Sequence, residues 1–338
     1  MILYHELFDL KLDEYGIEIP MQDDRASKSF DFLRGRYHES QFATPPSLAM
    51  PTREDLLLAH GPQFVEKILA KGEDLNQLII EGFELVDSSG QYNRYNPARA
   101  QHPLMNLATT LLLHTGACIQ GASVALEHGF AYVLGGGGHH AMSSAPRGFC
   151  LVNDIVIAIR KMQQLKKVKT AWVVDVDAHK GDGTAQILKD DPSILTLSIH
   201  MANGWPLIGD EVDVNGNLHP WFIPSNIDIP IAAGEEHHYL SKLEDGLQRL
   251  KKISNLLPDL VVIVHGSDPY EHDALKSTEP LKLTIEQMKE RDMLLYNFFE
   301  HLRLPQLYLM AGGYGADVWR IHAQFLDEIC YKKIGARK

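Results

Sequence analysis

The chain has 338 residues, 45% of them hydrophobic, with 44 Asp and Glu against 32 Lys and Arg, for a formal net charge of −12. That length suits one large α/β domain or two smaller ones, and the apolar share is enough for a sizeable core. The acid excess argues against direct nucleic-acid binding, which needs clustered Lys and Arg, and is compatible with a cationic substrate.

Three cysteines, Cys118, Cys150 and Cys330, stand in no paired spacing, which predicts a reducing compartment rather than a disulfide framework. The opening stretch MILYHELFDLKLDEYG carries acids where a signal peptide needs a basic region. Apolar runs such as 260–264 fall far short of a membrane span. The expected location is cytoplasmic, without membrane contact, and nothing in the pattern sets an oligomeric state.

Along the chain, apolar runs of strand length are predicted at 1–4, 131–134, 170–174, 194–199, 260–264 and 306–310. They alternate with amphipathic segments of helix length at 106–127, 152–164, 236–252, 285–301 and 316–329. Unalternating, β-branched strands between helices predict a parallel sheet covered on both faces. With no repeat, low-complexity tract or linker, residues 1–338 read as a single α/β domain.

Four of these strands run directly into polar clusters: GGGGHH after 131–134, DVDAH after 170–174, HGSDP after 260–264 and AGGY after 306–310. The carboxyl ends of parallel strands are where α/β sheets place their ligands. Asp175, Asp177 and His179 are spaced i, i+2, i+4, so a strand continuing through them would project all three from one face. Asp and His are good zinc ligands, and a catalytic zinc takes three protein ligands plus an open position. Asp177 and His179 are candidates for two, Asp268 is the best-placed third, and Asp175 suits a carboxylate that orients a histidine. Without a metal, the same segment reads as a strand end whose acids bond loop amides, with Asp182 capping the helix after Gly183; Ser267-Asp268-Pro269 alone reads as a turn.

The glycine run fails as a phosphate cradle, because His140 stands where GxGxxG needs a glycine. It fits a backbone brought close to a cavity that presents His139 and His140. Adjacent histidines on a strand would point to opposite sides, which suits a proton-transfer pair partnered by Asp175 and Asp182 better than a shared metal. Tyr314, in its glycine loop, could donate to a developing oxyanion or simply pack on a turn.

Taken together, GGGGHHAMSSAPRGFCLVNDIVIAI, VVDVDAHKGDGT, VHGSDPYEHDAL and AGGY resemble, in order and spacing, the zinc-dependent histone deacetylase and acetylpolyamine amidohydrolase superfamily; TREDLLLAHGPQFVEKIL is similar to an early helical segment of that family. The resemblance implies an arginase-like three-layer fold with a central parallel sheet of about eight strands. It implies one zinc ion on Asp177, His179 and Asp268. His140 would be the general base and acid, paired with Asp182, and His139 its electrostatic partner, paired with Asp175. Tyr314 would polarise the carbonyl beside Gly312. Gly148 and Phe149 would wall a narrow tunnel opposite Trp205. A structural potassium would sit on the carbonyls of Asp175, Asp177 and His179 near Ser198, and Arg25 would line an internal acetate channel.

The implied activity is removal of acetyl or other acyl groups from lysine side chains or small amines, with acetylpolyamines an alternative substrate. Some residues depart from the pattern. The glycine run replaces RPPGHH, and DVDAH is closer to the form of the class IV branch and its bacterial relatives. Lys180, where many members have histidine or glutamine, is expected to alter the rim of the site. Glu84 and Asp87 are candidates for the acid that grips substrate at the entrance. A dimanganese ureohydrolase of the arginase type is the competing reading, but its motif needs an Asp where Gly181 stands.

Overall fold

The computed structural model describes residues 1–209, 211–219, 221–254 and 256–337. Among them a single parallel sheet of seven strands forms, in the order β1-β2-β7-β6-β3-β4-β5. The strands are β1 (Ile2–Leu3), β2 (Phe130–Val133), β3 (Ala171–Asp175), β4 (Ile194–Met201), β5 (Ile227–Ile231), β6 (Leu260–His265) and β7 (Gln306–Met310). Seven strands among the described residues agree with the expected sheet of about eight. The strand missed in the sequence is β5, IDIPI, which looks like a loop because Pro230 interrupts it. It pairs only with β4, and Pro230 is exposed, so a residue without an N–H is tolerated at this edge.

Both sheet faces are dry. Val173, Val262 and Leu307 belong to one apolar cluster, and Trp172, Val174, Ile263 and Tyr308 to the other. Burial of each such side chain contributes roughly 1.5–3 kcal/mol. The helices Leu107–His128, Asp154–Gln164 and Ile285–His301 fall where the apolar period predicts them. The last of these is started by a capping box, in which Thr284 Oγ1 accepts from Gln287 N and Gln287 Oε1 from Thr284 N. The segment predicted at 236–252 divides into a 3-10 turn, Glu236–His238, and the helix Tyr239–Ile253. The last predicted helix shifts to Trp319–Ile334, because Gly315 holds a positive φ of 101° before it. No helix among the described residues is long and apolar enough to cross a membrane.

Candidate active site

β2, β7, β6 and β3 are neighbours in the sheet, so the four polar clusters emerge side by side at its carboxyl edge. β3 ends at Asp175, which corrects the expectation that a continuing strand aligns Asp175, Asp177 and His179. Two successive side-chain turns do so instead. Asp175 Oδ1 accepts from Asp177 N at 3.1 Å, and Asp177 Oδ1 accepts from His179 N at 3.0 Å. The 266–268 loop closes on this turn so tightly that a Cβ on Gly266 would strike Asp177. A fully buried arginine, Arg291, ties the two loops together, its Nη1 donating to Val176 O at 3.1 Å and Gly266 O at 2.9 Å. Asp292 orients Arg291 through a 2.8 Å bond from Nε.

Asp177, His179 and Asp268 converge, their ligand atoms all lying within 4.8 Å of one another. His179 Nδ1 is 3.2 Å from Asp177 Oδ1 and 3.0 Å from Asp268 Oδ2, while Nε2 is 3.0 Å from Ser277 Oγ. Ser277 can thus hold the tautomer that leaves the Nδ1 lone pair facing the carboxylates. All three residues are buried. Burial and the neighbouring Asp177 push Asp268 up to about 6. Burial alone would lower His179, but the carboxylates of Asp177 and Asp268 outweigh it and push the imidazole up to about 10. Two carboxylates and one imidazole in a dry pocket carry the donor chemistry of a divalent-metal site, and the residues present fit one ion.

Without the ion, His179 holds a proton at every pH below about 10, and that proton must leave before Nδ1 can ligate. Metal uptake at pH 7 is therefore expected to release about one proton per chain, with affinity rising as pH rises. Calorimetry in buffers of different ionisation enthalpy would measure this, and a pH-independent affinity would remove His179 from the ligand set.

His139 and His140 do not point to opposite sides, because they lie on a turn beyond β2 rather than on a strand. Their rings sit 3.9 Å apart. Gly136 and Gly137, with φ of 79° and 80°, make that turn possible, and Asp154 Oδ1 fixes it by accepting from the amides of Gly137 and Gly138, both at 3.0 Å. His139 Nδ1 meets Asp175 Oδ2 at 2.7 Å, and His140 Nδ1 meets Asp182 Oδ1 at 2.8 Å. The two imidazoles are driven apart electrostatically. Burial opposes charge on His139, but Asp175 and Asp177 prevail and raise it to about 9. Burial and the neighbouring His139 lower His140 to about 3. At neutral pH His139 is a cation and His140 a neutral base with Nδ1 engaged and Nε2 free to carry a proton.

A cavity of about 190 Å³ joins these groups, lined by His139, His140, Asp177, His179 and Tyr314. Gly148, Phe149 and Trp205 form its walls. Trp205 packs edge-on over His140 at 4.5 Å, and a Cβ on Gly148 would collide with both rings. Gly312 lines the cavity, and its amide also donates to Asp177 Oδ2 at 2.9 Å. Tyr314 N donates to Asp273 Oδ2 at 2.7 Å. Burial, with the charges of Asp268 and Asp177, keeps its phenol well above the ordinary range, so it remains a donor. Arg25 also lines the cavity and donates to Gly313 O at 3.1 Å. Ser198 lies opposite Asp175 in the sheet register.

Two rim expectations are revised. Lys180 is only 1% exposed and turns away from the mouth to pair with Asp228 and Ser225, since an ammonium this deep needs a carboxylate. Asp87 accepts from the amides of Ser89 and Gln91 in its own exposed turn, whereas Glu84 lines the cavity and faces Arg94 at 3.7 Å. Asp154, Asp273, Ser277, Arg147 and Arg291 are site residues that sequence reasoning missed. Asp154, Asp273 and Arg147 sit inside the motifs themselves, in VNDIV, YEHDAL and APRGF; Ser277 and Arg291 act from segments with no local signature.

The fold and the site define an α/β protein with a buried Asp-His-Asp cluster that could hold a metal ion, flanked by two His–Asp pairs, and among the described residues there is one such cluster. The family model described as a histone deacetylase domain matches residues 19–327, and the chain belongs to that family. An uncharacterized protein of Picosynechococcus sp. is 33% identical over 207 residues, 61% of this chain and 63% of its own length; the chain thus spans less than two thirds of that relative. The acetoin utilization protein AcuC of Bacillus subtilis is 25% identical over 309 residues, 90% of this chain and 74% of its own. In fold, the chain is similar to acetylpolyamine aminohydrolase from Burkholderia pseudomallei, with a TM-score of 0.71, 18% identity and 98% of each chain covered.

Proposed function

We propose that residues 1–338 form one catalytic domain that hydrolyses N-acyl amides, removing acetyl or another acyl group from a lysine side chain or a small amine such as a polyamine. The observation that carries this reading is the meeting of the Asp177–His179–Asp268 cluster, neutral His140 and the Tyr314 phenol in one cavity. Zinc is the metal that best suits two carboxylates and an imidazole, although iron and cobalt accept the same set. Bound there, it would polarise the scissile carbonyl and acidify a water.

The chain's own groups do the rest. His140 Nε2 takes the attacking water's proton and passes it to the leaving amine, while Asp182 on Nδ1 keeps the ring oriented. His139, held on Asp175, faces the negative charge that develops beside it. Tyr314 donates to the oxyanion, and Gly148, Phe149 and Trp205 hold the acyl-bearing chain and exclude water. A potassium ion near Asp175 and Ser198 would stiffen the β3 loop, and a cytoplasmic location suits the three unpaired thiols. The test is kcat/KM for acetyl-lysine peptides, longer acyl-lysines and acetylpolyamines on one zinc-loaded preparation. Measurable cleavage in at least one class is expected; a fully metal-loaded protein inert to all three would overturn the reading.

A further inference from the structure

Arg147 is absorbed by none of the roles assigned above, yet it touches two of the site's working parts. Its guanidinium pairs with Asp182 Oδ2, the oxygen that Asp182 does not offer to His140; Oδ1 takes both His140 Nδ1 and Gly183 N. The same guanidinium carbon lies 5.2 Å from the centre of the Trp205 ring, and that ring packs on His140. Arg147, Asp182, His140 and Trp205 therefore close a ring of contacts around one imidazole.

The backbone of Arg147 is engaged as well. Arg147 N donates to Cys150 O at 3.0 Å and Cys150 N to Arg147 O at 2.9 Å, closing a two-residue turn over Gly148 and Phe149. Both of these residues hold positive φ, 57° and 65°, the signature of a type I′ turn, which a phenylalanine adopts only under constraint. Phe149 N is anchored on Gly82 O at 2.8 Å, and Arg147 anchors the other end through Asp182. The tip of this turn is the cavity wall. One side chain thus joins the wall that holds the acyl-bearing chain to the carboxylate that orients the proton carrier.

We propose that Arg147 is a positioning residue for the reaction: by occupying Asp182 Oδ2 it holds Asp182 Oδ1 on His140, and by closing over Trp205 it sets the distance between the tunnel wall and that dyad. Without it, Asp182 keeps a nearly buried oxygen with no partner, and the carboxylate turns to find one. The inference rests on the reading of His140 as the proton carrier.

Arg147 is itself partly exposed, with 36% of its side chain accessible, so its substitution need not disturb the core. Arg147→Met keeps a stem over Trp205 and removes the charge. With the acyl-amine that the wild type cleaves fastest, it is expected to lose about 10- to 100-fold in kcat, with little change in KM, melting temperature or bound metal. Arg147→Lys restores a donor to Asp182 and should recover much of the loss. A double-mutant cycle gives the sharper readout: in an Asp182→Asn background, Arg147→Met should cost little more, because the two act as one unit. A wild-type kcat for Arg147→Met, a loss that Lys does not rescue, or full additivity with Asp182→Asn would each overturn the proposal. Should His140→Ala retain wild-type turnover, the proton-carrier reading itself fails; a dead His140→Ala beside a normal Arg147→Met removes Arg147 alone.

Discussion

Replacing His179 with alanine is expected to abolish stoichiometric metal binding and, with it, hydrolysis. The imidazole is the one nitrogen donor of the candidate cluster, and its Nδ1 stands between Asp177 and Asp268. Removing it leaves two buried carboxylates facing each other, a pair that relieves its repulsion by taking up a proton rather than by keeping a shared cation. A bound ion would contribute several kcal/mol of charge stabilisation, so turnover should fall by at least about 10³-fold. The fold should persist, since His179 belongs to neither apolar cluster. Metal per chain after dialysis, read by mass spectrometry alongside circular dichroism, decides the matter: one ion retained per folded chain would mean that His179 is not a ligand.

Tyr314→Phe is expected to behave in the opposite way, keeping the metal and the fold while losing about 10²- to 10³-fold in kcat, the usual cost of one oxyanion donor. The loop that carries Tyr314 is held by main-chain bonds, from Tyr314 N to Asp273 and from Ala274 N to Tyr314 O, and the ring packs edge-on against Phe149 at 6.0 Å. Phenylalanine preserves all of these and deletes only the hydroxyl. KM should change little, because the bond is made chiefly as charge develops. Near-normal turnover in this variant would take Tyr314 out of the chemistry.

Much of the fold was legible because the buried strands are continuous apolar runs with helices between them, a pattern that period and length betray. β5 was not, because an edge strand with a proline carries no such run. The three residues proposed as metal ligands could be singled out because each follows a predicted strand, although the reason they meet is not strand alternation. Asp175 and Asp177 fold the chain back on itself by accepting amides two residues on, a geometry that three alternating residues cannot reveal. Lys180 was misplaced for a related reason: its partner Asp228 lies 48 residues away on β5, the strand that the sequence hides. Ser277 and Arg291 act on the cluster from segments with no motif of their own, and their roles exist only once β3 and β6 lie side by side.

The clamp at Arg291 consists of guanidinium N–H groups and backbone carbonyls. Burial disfavours the charge, but Asp292 and Tyr239 outweigh burial and hold the guanidinium above its already high ordinary value, while Asp292 stays below the usual carboxylate range. No member of this clamp gains or loses a proton near neutrality. Mild acidification would therefore protonate the proposed ligand set, while the scaffold that spaces the two loops would stay assembled, ready to accept an ion again once the acid is removed.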